Sequence, residues 1–196
     1  MTGLEDLVVV ERRSLGDHRG EIIAVREPYP ATGEPVWRVA ILPEHQATLP
    51  HDAEMLQVDT VVSVIPEDIA ITADAFVAIF SGSQYIGLDL PDIFWVDGGK
   101  TGGIGRGLVL RGVAVLTMVT RAEQWVNTIR SDGFRTKSIL IVQLLQERDE
   151  DDFGLQPFDV FCNAALTLCN MKDGVMTACG DASVTAVVIT AFRDPL

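Results

Sequence analysis

The chain has 196 residues, 47% of them apolar, and a formal net charge of -13. This length and apolar content suit a domain with a packed core and exclude a wholly disordered chain. The excess of 28 carboxylates over 15 basic side chains repels nucleic-acid phosphates and anionic lipid headgroups, so we expect no direct nucleic-acid binding.

The basic residues are unevenly divided, with twelve arginines against Lys100, Lys137 and Lys172. High-GC coding and adaptation to high salt would each produce this bias, and composition does not separate the two. The N-terminus has no basic and apolar leader, and no apolar run approaches the length of a membrane span. We therefore expect neither export by that route nor membrane insertion.

Alternating apolar and polar residues predict strands through the first two thirds of the chain. The expected strands cover 8–12, 21–26, 37–42, 56–64, 71–80, 85–90 and 93–96. The run 71–80 is apolar on both sides, which is typical of a strand buried on both faces. The spacing of these strands is that of an antiparallel meander.

The pattern changes after residue 107. A two-sided apolar strand is predicted over 108–121, and then Ala122, Trp125, Val126 and Ile129 follow at helical spacing. Further on, the predictions are a strand over 136–146, an acidic loop over 147–152, a second helix opened by Pro157 and a last strand over 183–192.

These elements predict an α+β, strand-rich fold, an antiparallel β-sandwich or barrel with two helices in the C-terminal half. We expect a single domain over 1–196. A possible subdivision separates a β meander over 1–97 from a mixed part over 108–196, with a glycine-rich connector over 98–107.

That connector belongs to the stretch DGGKTGGIGRG at 97–107. A phosphate-binding P-loop needs glycine six positions before the lysine and a helix after it, but Phe94 occupies that position and a strand pattern follows. The dinucleotide fingerprint fails as well, because Leu108 stands where its third glycine belongs. We therefore predict no nucleotide and no other cofactor.

A pliable, basic segment on an acidic chain is able to dock on the carboxylates of a neighbour. The stretch is accordingly predicted to be an assembly arm, and a surface loop without a partner is the alternative. The predicted interface residues are Trp95, Gly98, Gly99, Lys100, Thr101, Gly102, Gly103 and Arg106. Trp37 and Trp125 are expected in the core.

No catalytic constellation is recognisable. Asp89, Asp92 and Asp97 lie close in sequence, but aspartates on such a surface usually form turns. The histidines His18, His45 and His51 are scattered, without a nucleophile elbow beside them. We predict no catalytic residue and no metal, and an enzyme is the less favoured class.

The three cysteines form no CxxC pair, which argues against a disulfide framework and a structural zinc. Cys162 and Cys169 are expected on the buried face of the second helix, and Cys179 is the more exposed thiol.

The long apolar strands and the absence of a chemical signature favour a non-enzymatic structural subunit of a symmetric homo-oligomer. Its most concrete form is a virion component such as a capsid, neck or tail protein, beside neighbouring assembly proteins. The expected location is a virion or the cytoplasm. The alternatives are a small-molecule enzyme with a site at Asp89, Asp92 and Asp97, and a ligand-binding β-barrel.

Overall fold

The computed structural model describes residues 9–16, 19–26, 36–44, 58–80, 103–111, 115–146, 162–164, 167, 175–179 and 182–193. Its strands are β1 (Val9–Ser14), β2 (Glu21–Arg26), β3 (Trp37–Pro43), β4 (Thr60–Val64), β5 (Gly103–Arg111), β6 (Ser138–Leu144), β7 (Val175–Cys179) and β8 (Ala186–Arg193). Its helices are α1 (Ile69–Ala78), entered through a 3-10 turn at Pro66–Asp68, and α2 (Val115–Ser131).

The strands form one eight-stranded sheet in the order β1-β2-β3-β4-β5-β8-β6-β7. Strands β3, β4 and β5 run parallel to one another, as do β6 and β7, and the remaining neighbours are antiparallel. The predicted strand-rich α+β fold is confirmed, but the antiparallel sandwich or barrel is not, because the sheet is mixed. Apolar alternation along a strand is the same in either direction, so it did not reveal the long crossover connections that parallel neighbours require.

The two helices cover opposite faces of the sheet. On the first face, α1 buries Phe76 and Ala73 against strand residues that include Val39 and Val188. On the second face, α2 packs Met118, Ala122 and Val126 against residues from β5, β6 and β8: Leu110, Ile139, Ile141, Val187 and Ile189. Successive side chains of a strand point to opposite faces, so strands covered on both sides become apolar throughout.

Helix α1 replaces the strand that was predicted over 71–80. Ile69, Thr72, Ala73, Phe76 and Ile79 are all buried and recur at helical spacing, so this almost wholly apolar run fits either period. Its alanines favour a helix, and Pro66 opens the preceding 3-10 turn. The strand prediction was wrong because an apolar run has no polar face with which to mark its period.

Helix α2 begins at Val115, well before the predicted start at Ala122, and the strand before it ends at Arg111. The β-branched residues after Arg111 made this part resemble a continuing strand. The C-terminal end of α2 is a Schellman cap: the amides of Gly133 and Phe134 donate to the carbonyls of Arg130 and Ile129, and Gly133 has φ +79°.

Other predictions meet the structure only in part. Residues 162–164 and 167 are helical, within the predicted second helix, and β7 was not predicted at all. The predicted strands 85–90 and 93–96 and the acidic loop 147–152 lie outside the described residues. The single domain and its possible subdivision stay predictions. No helix in the described ranges is long and apolar enough to cross a membrane.

Candidate functional site

The end of the glycine-rich stretch forms strand β5, which lies between β4 and β8. The strand that was predicted to begin at Leu108 begins at Gly103, so residues 103–107 belong to the strand and not to the predicted connector. A Cβ atom on Gly105 would lie 3.1 Å from the ring of Phe192, and one on Gly107 would lie 2.5 Å from Cγ1 of Val64. These two glycines are therefore explained by close packing inside the sheet, without any phosphate.

We expect Gly107→Ala to lower the free energy of unfolding by about 2 kcal/mol, because a methyl group must displace the buried side chain of Val64. Urea titration followed by circular dichroism measures this loss. Gly105→Ala is the matched control in the same strand. Its expected loss is about 1 kcal/mol, because the atoms around a Cβ at Gly105 must move by a smaller distance than Val64 must move for Gly107→Ala. Equal stability of the Gly107→Ala variant and the parent chain would contradict the packing explanation.

Two of the predicted arm residues are described, and both belong to the sheet. Gly103 begins β5, and Arg106 pairs with Asp132 at 2.7 Å while its guanidinium lies 5.5 Å from the ring centroid of Phe134. The other predicted interface residues lie outside the described residues: Trp95, Gly98, Gly99, Lys100, Thr101 and Gly102. The assembly arm stays a prediction.

Most of the chemical candidates also lie outside the described residues: Asp89, Asp92, Asp97, His18, His45, His51 and Cys169. Within the described ranges, no group of three or more His, Cys, Asp or Glu side chains is placed to hold a metal ion.

The exposed thiol predicted at Cys179 is wrong. Cys179 ends strand β7 and is fully buried, so loss of hydration raises the pKa of its thiol to about 11. Nucleophilic cysteines act as thiolates, so this residue is an inert part of the core at neutral pH. Cys162 is buried, as predicted.

Strand β1 lies at one end of the sheet, and its outer side has unused capacity for backbone hydrogen bonds. Within the described ranges, β1 pairs only with β2. The amide of Leu15 donates a hydrogen bond to the carbonyl of Gly20, and this bond sets the alternation along the ladder. The backbone groups of odd-numbered β1 residues form hydrogen bonds with β2, and those of even-numbered residues point away from β2. We call the outward amide and carbonyl groups of Val10, Arg12 and Ser14 the β1 edge.

Arg12 ties this edge to the first helix. Its guanidinium pairs with Glu21 of β2 and Asp74 of α1, and it also donates to the carbonyl of Ala70 at 3.4 Å. The hydrogen bond to Glu21 is the main cause that raises the pKa of Arg12. Two carboxylates therefore compensate this cation, and its contacts link the end strand to α1.

A cavity of about 290 Å³ opens where β1 ends, beside the 3-10 turn. Its lining includes Ser14, Gly20, Glu21 and Glu67. Among the described residues that line it there are carboxylates and no basic side chain, so this part of the lining does not favour a phosphate or another anion.

Near the cavity, Asp68 is 2% exposed and forms an ion pair with Arg111. Burial raises the pKa of Asp68, and the cation of Arg111 opposes that shift. The carboxylate is occupied within the fold, so it does not add a ligand group to the cavity.

Neither the protein-family models nor the curated proteins include a match to this chain. Among solved structures, it resembles the FtsZ dimer of M. jannaschii in its empty form, with a TM-score of 0.51, 13% identity and coverage of 79% of this chain and 53% of FtsZ. A tryptophan-to-tyrosine mutant of M. jannaschii FtsZ gives a TM-score of 0.42, with 11% identity over 74% of this chain and 49% of the mutant. The chain spans about half the length of these FtsZ chains, and the likeness shows the fold alone.

The prediction of a virion component is wrong, because the structural likeness reported above is to FtsZ. The prediction rested on the absence of a chemical signature, on a pliable arm and on long two-sided apolar strands. The structure covers them within one chain, since one such segment is helix α1 and both faces of the sheet carry helices. A virion location loses its support with it.

The β1 edge was not singled out from the sequence. A signal was present, because the predicted strand 8–12 ends in charged residues, and charges on a strand are typical of a sheet edge. The position of the strand at the end of the sheet is a property of the topology, which the sequence pattern does not contain.

Proposed function

We propose that this chain is a self-associating protein of the FtsZ fold, which joins to further copies of itself through the β1 edge. The observation that carries the proposal is the row of outward backbone groups on β1. The likeness to an FtsZ structure described as a dimer supports it.

The physical case rests on backbone groups that are ready to pair. An edge strand presents unpaired N–H and C=O groups, and adding a strand to it gains main-chain hydrogen bonds. Glu11, Arg12, Arg13 and Ser14 are all exposed, so a second strand has access to the edge. Val9 is 43% exposed and adds apolar area beside it.

The net charge of -13 opposes association at long range, but the edge itself differs from the rest of the chain. Its arginines Arg12 and Arg13, with Arg26 beside them, balance the three carboxylates of Glu11, Glu21 and Asp74, so the edge is locally neutral and not acidic. At an ionic strength of about 0.15 M the Debye length is about 8 Å, so charges far from the edge contribute little.

Sedimentation velocity from about 1 μM to about 1 mM protein tests the proposal, a range that corresponds to about 4 to 8 kcal/mol of binding free energy. We expect a concentration-dependent shift from monomer to a larger species. Val10→Pro removes one outward amide but no hydrogen bond to β2, and should shift this equilibrium towards monomer.

Val10→Ala is the matched control, because it loses at least as much side-chain packing as the proline variant and keeps the amide. It should associate like the parent chain, and circular dichroism should show that both variants are folded. A parent chain that stays monomeric at about 1 mM refutes self-association. Equal association of the proline and alanine variants refutes the β1 edge as the contact.

A further inference from the structure

We propose that the partner at the β1 edge is β1 of a second copy, antiparallel and related by a two-fold axis through Arg12. This rests on the proposed function and names the contact that carries it. The observation behind it is that the charges along β1 complement themselves in this register and in neither adjacent one.

Strand geometry restricts the possible registers. A two-fold axis normal to the sheet relates antiparallel strands and sets one residue of β1 opposite its own copy. The registers with the axis at Glu11 and at Arg13 are the two neighbours of the register at Arg12. With the axis at Arg12, the even-numbered residues, whose backbone groups point outward, face one another: Arg12 faces Arg12, and Val10 faces Ser14. Every outward amide and carbonyl of β1 then has a partner.

The charges choose among the three registers. With the axis at Arg12, Glu11 of each copy lies opposite Arg13 of the other, which makes two opposite-charge pairs on the exposed face. With the axis at Glu11 or at Arg13, the residue on the axis meets its own like charge and no opposite-charge pair forms.

Both partners of the expected pair are available. The side chain of Glu11 is 56% exposed and contacts Arg26 at 3.2 Å through Oε2, so Oε1 is able to accept from a second arginine. Arg13 is exposed and has no ion-pair partner in the part of the chain that the structure describes.

The meeting of two Arg12 side chains on the axis does not oppose this register. Each guanidinium is turned back to Glu21 and Asp74 of its own copy, which together carry one charge more than the arginine. Each Arg12 guanidinium is therefore compensated by carboxylates of its own copy, which weakens the repulsion between the two cations across the axis.

A charge-swap cycle tests the register. In the dimer, Arg13→Glu places a glutamate opposite Glu11 at two symmetric positions, and Glu11→Arg places an arginine opposite Arg13 at the same two positions. Each variant should therefore raise the dimer dissociation constant about 10-fold. The double variant Glu11→Arg with Arg13→Glu restores both pairs with reversed sign, and its constant should return to within about 3-fold of the parent value. Sedimentation measures the constants, and circular dichroism checks that each variant is folded.

The outcomes separate this inference from the proposed function. If Val10→Pro weakens association but the single charge variants stay within about 3-fold of the parent, this register is refuted and association at the β1 edge stands. If both single variants weaken association and the double variant does not recover, the partner is another segment that carries its own charges, and the two-fold contact is refuted. A parent chain that never associates refutes both.

Discussion

Gly20→Ala should lower the free energy of unfolding by about 3–5 kcal/mol, the loss of a large part of a typical domain's stability. Gly20 has φ +120°, a conformation that side chains other than glycine rarely adopt. A Cβ atom at this position would also collide with the carbonyl oxygen of Ile41 and lie 2.8 Å from Cδ2 of Leu42. Ile41 and Leu42 both belong to β3, so the collision is removed only if β3 moves away from Gly20 within the sheet.

Gly16→Ala is the matched control, since Gly16 lies in the same connection and also has a positive φ, +99°. Its Cβ atom would meet nothing closer than Cδ of Arg19 at 3.9 Å, so only backbone strain of about 1 kcal/mol is expected. Urea titration of both variants and the parent measures the difference. If the two alanine variants lose the same stability, the collision with Ile41 has no energetic weight and the steric explanation for Gly20 is wrong.

The sequence predicted strands best where one face is less buried than the other. In β2, Glu21, Ala24 and Arg26 are half-buried beside fully buried neighbours, and this strand was predicted at the bounds observed. In α1 the polar residues are too few to mark a face, and period 2 and period 3.6 fit equally well. The length and the alanine content of such a run favour a helix, but the prediction followed the alternation of apolar residues on two sides.

The candidate site was harder to predict for a different reason. Glu11, Arg12 and Arg13 were visible as a charged run, but their importance depends on β1 being the end strand of the sheet. Strand order is set by crossover connections, which leave no local pattern in the strands that they place. The same limit applies to Gly107: the sequence shows a glycine before a strand, and only the sheet reveals Val64 beside it.

Trp37 carries the other large predicted effect, because Trp37→Ala should cost about 3–5 kcal/mol of unfolding free energy. Trp37 is fully buried at the start of β3, and its ring centroid lies 5.7 Å from that of Phe76 and 6.1 Å from that of Phe80. Its indole Nε1 donates to Oγ1 of Thr60 at 3.2 Å. Truncation therefore leaves a cavity between the sheet and α1 and removes a buried hydrogen bond.

Trp125→Ala is the control for this truncation, because the same side-chain atoms are removed from a half-buried site on α2. The indole Nε1 of Trp125 has no hydrogen-bond partner within the described part of the chain, so its loss leaves no polar group unpaired. The expected cost is about 1–2 kcal/mol. Thermal or urea unfolding measures the free energy of unfolding that each variant loses. If Trp125→Ala loses as much as Trp37→Ala, the contact between α1 and the sheet is not the main support of the fold.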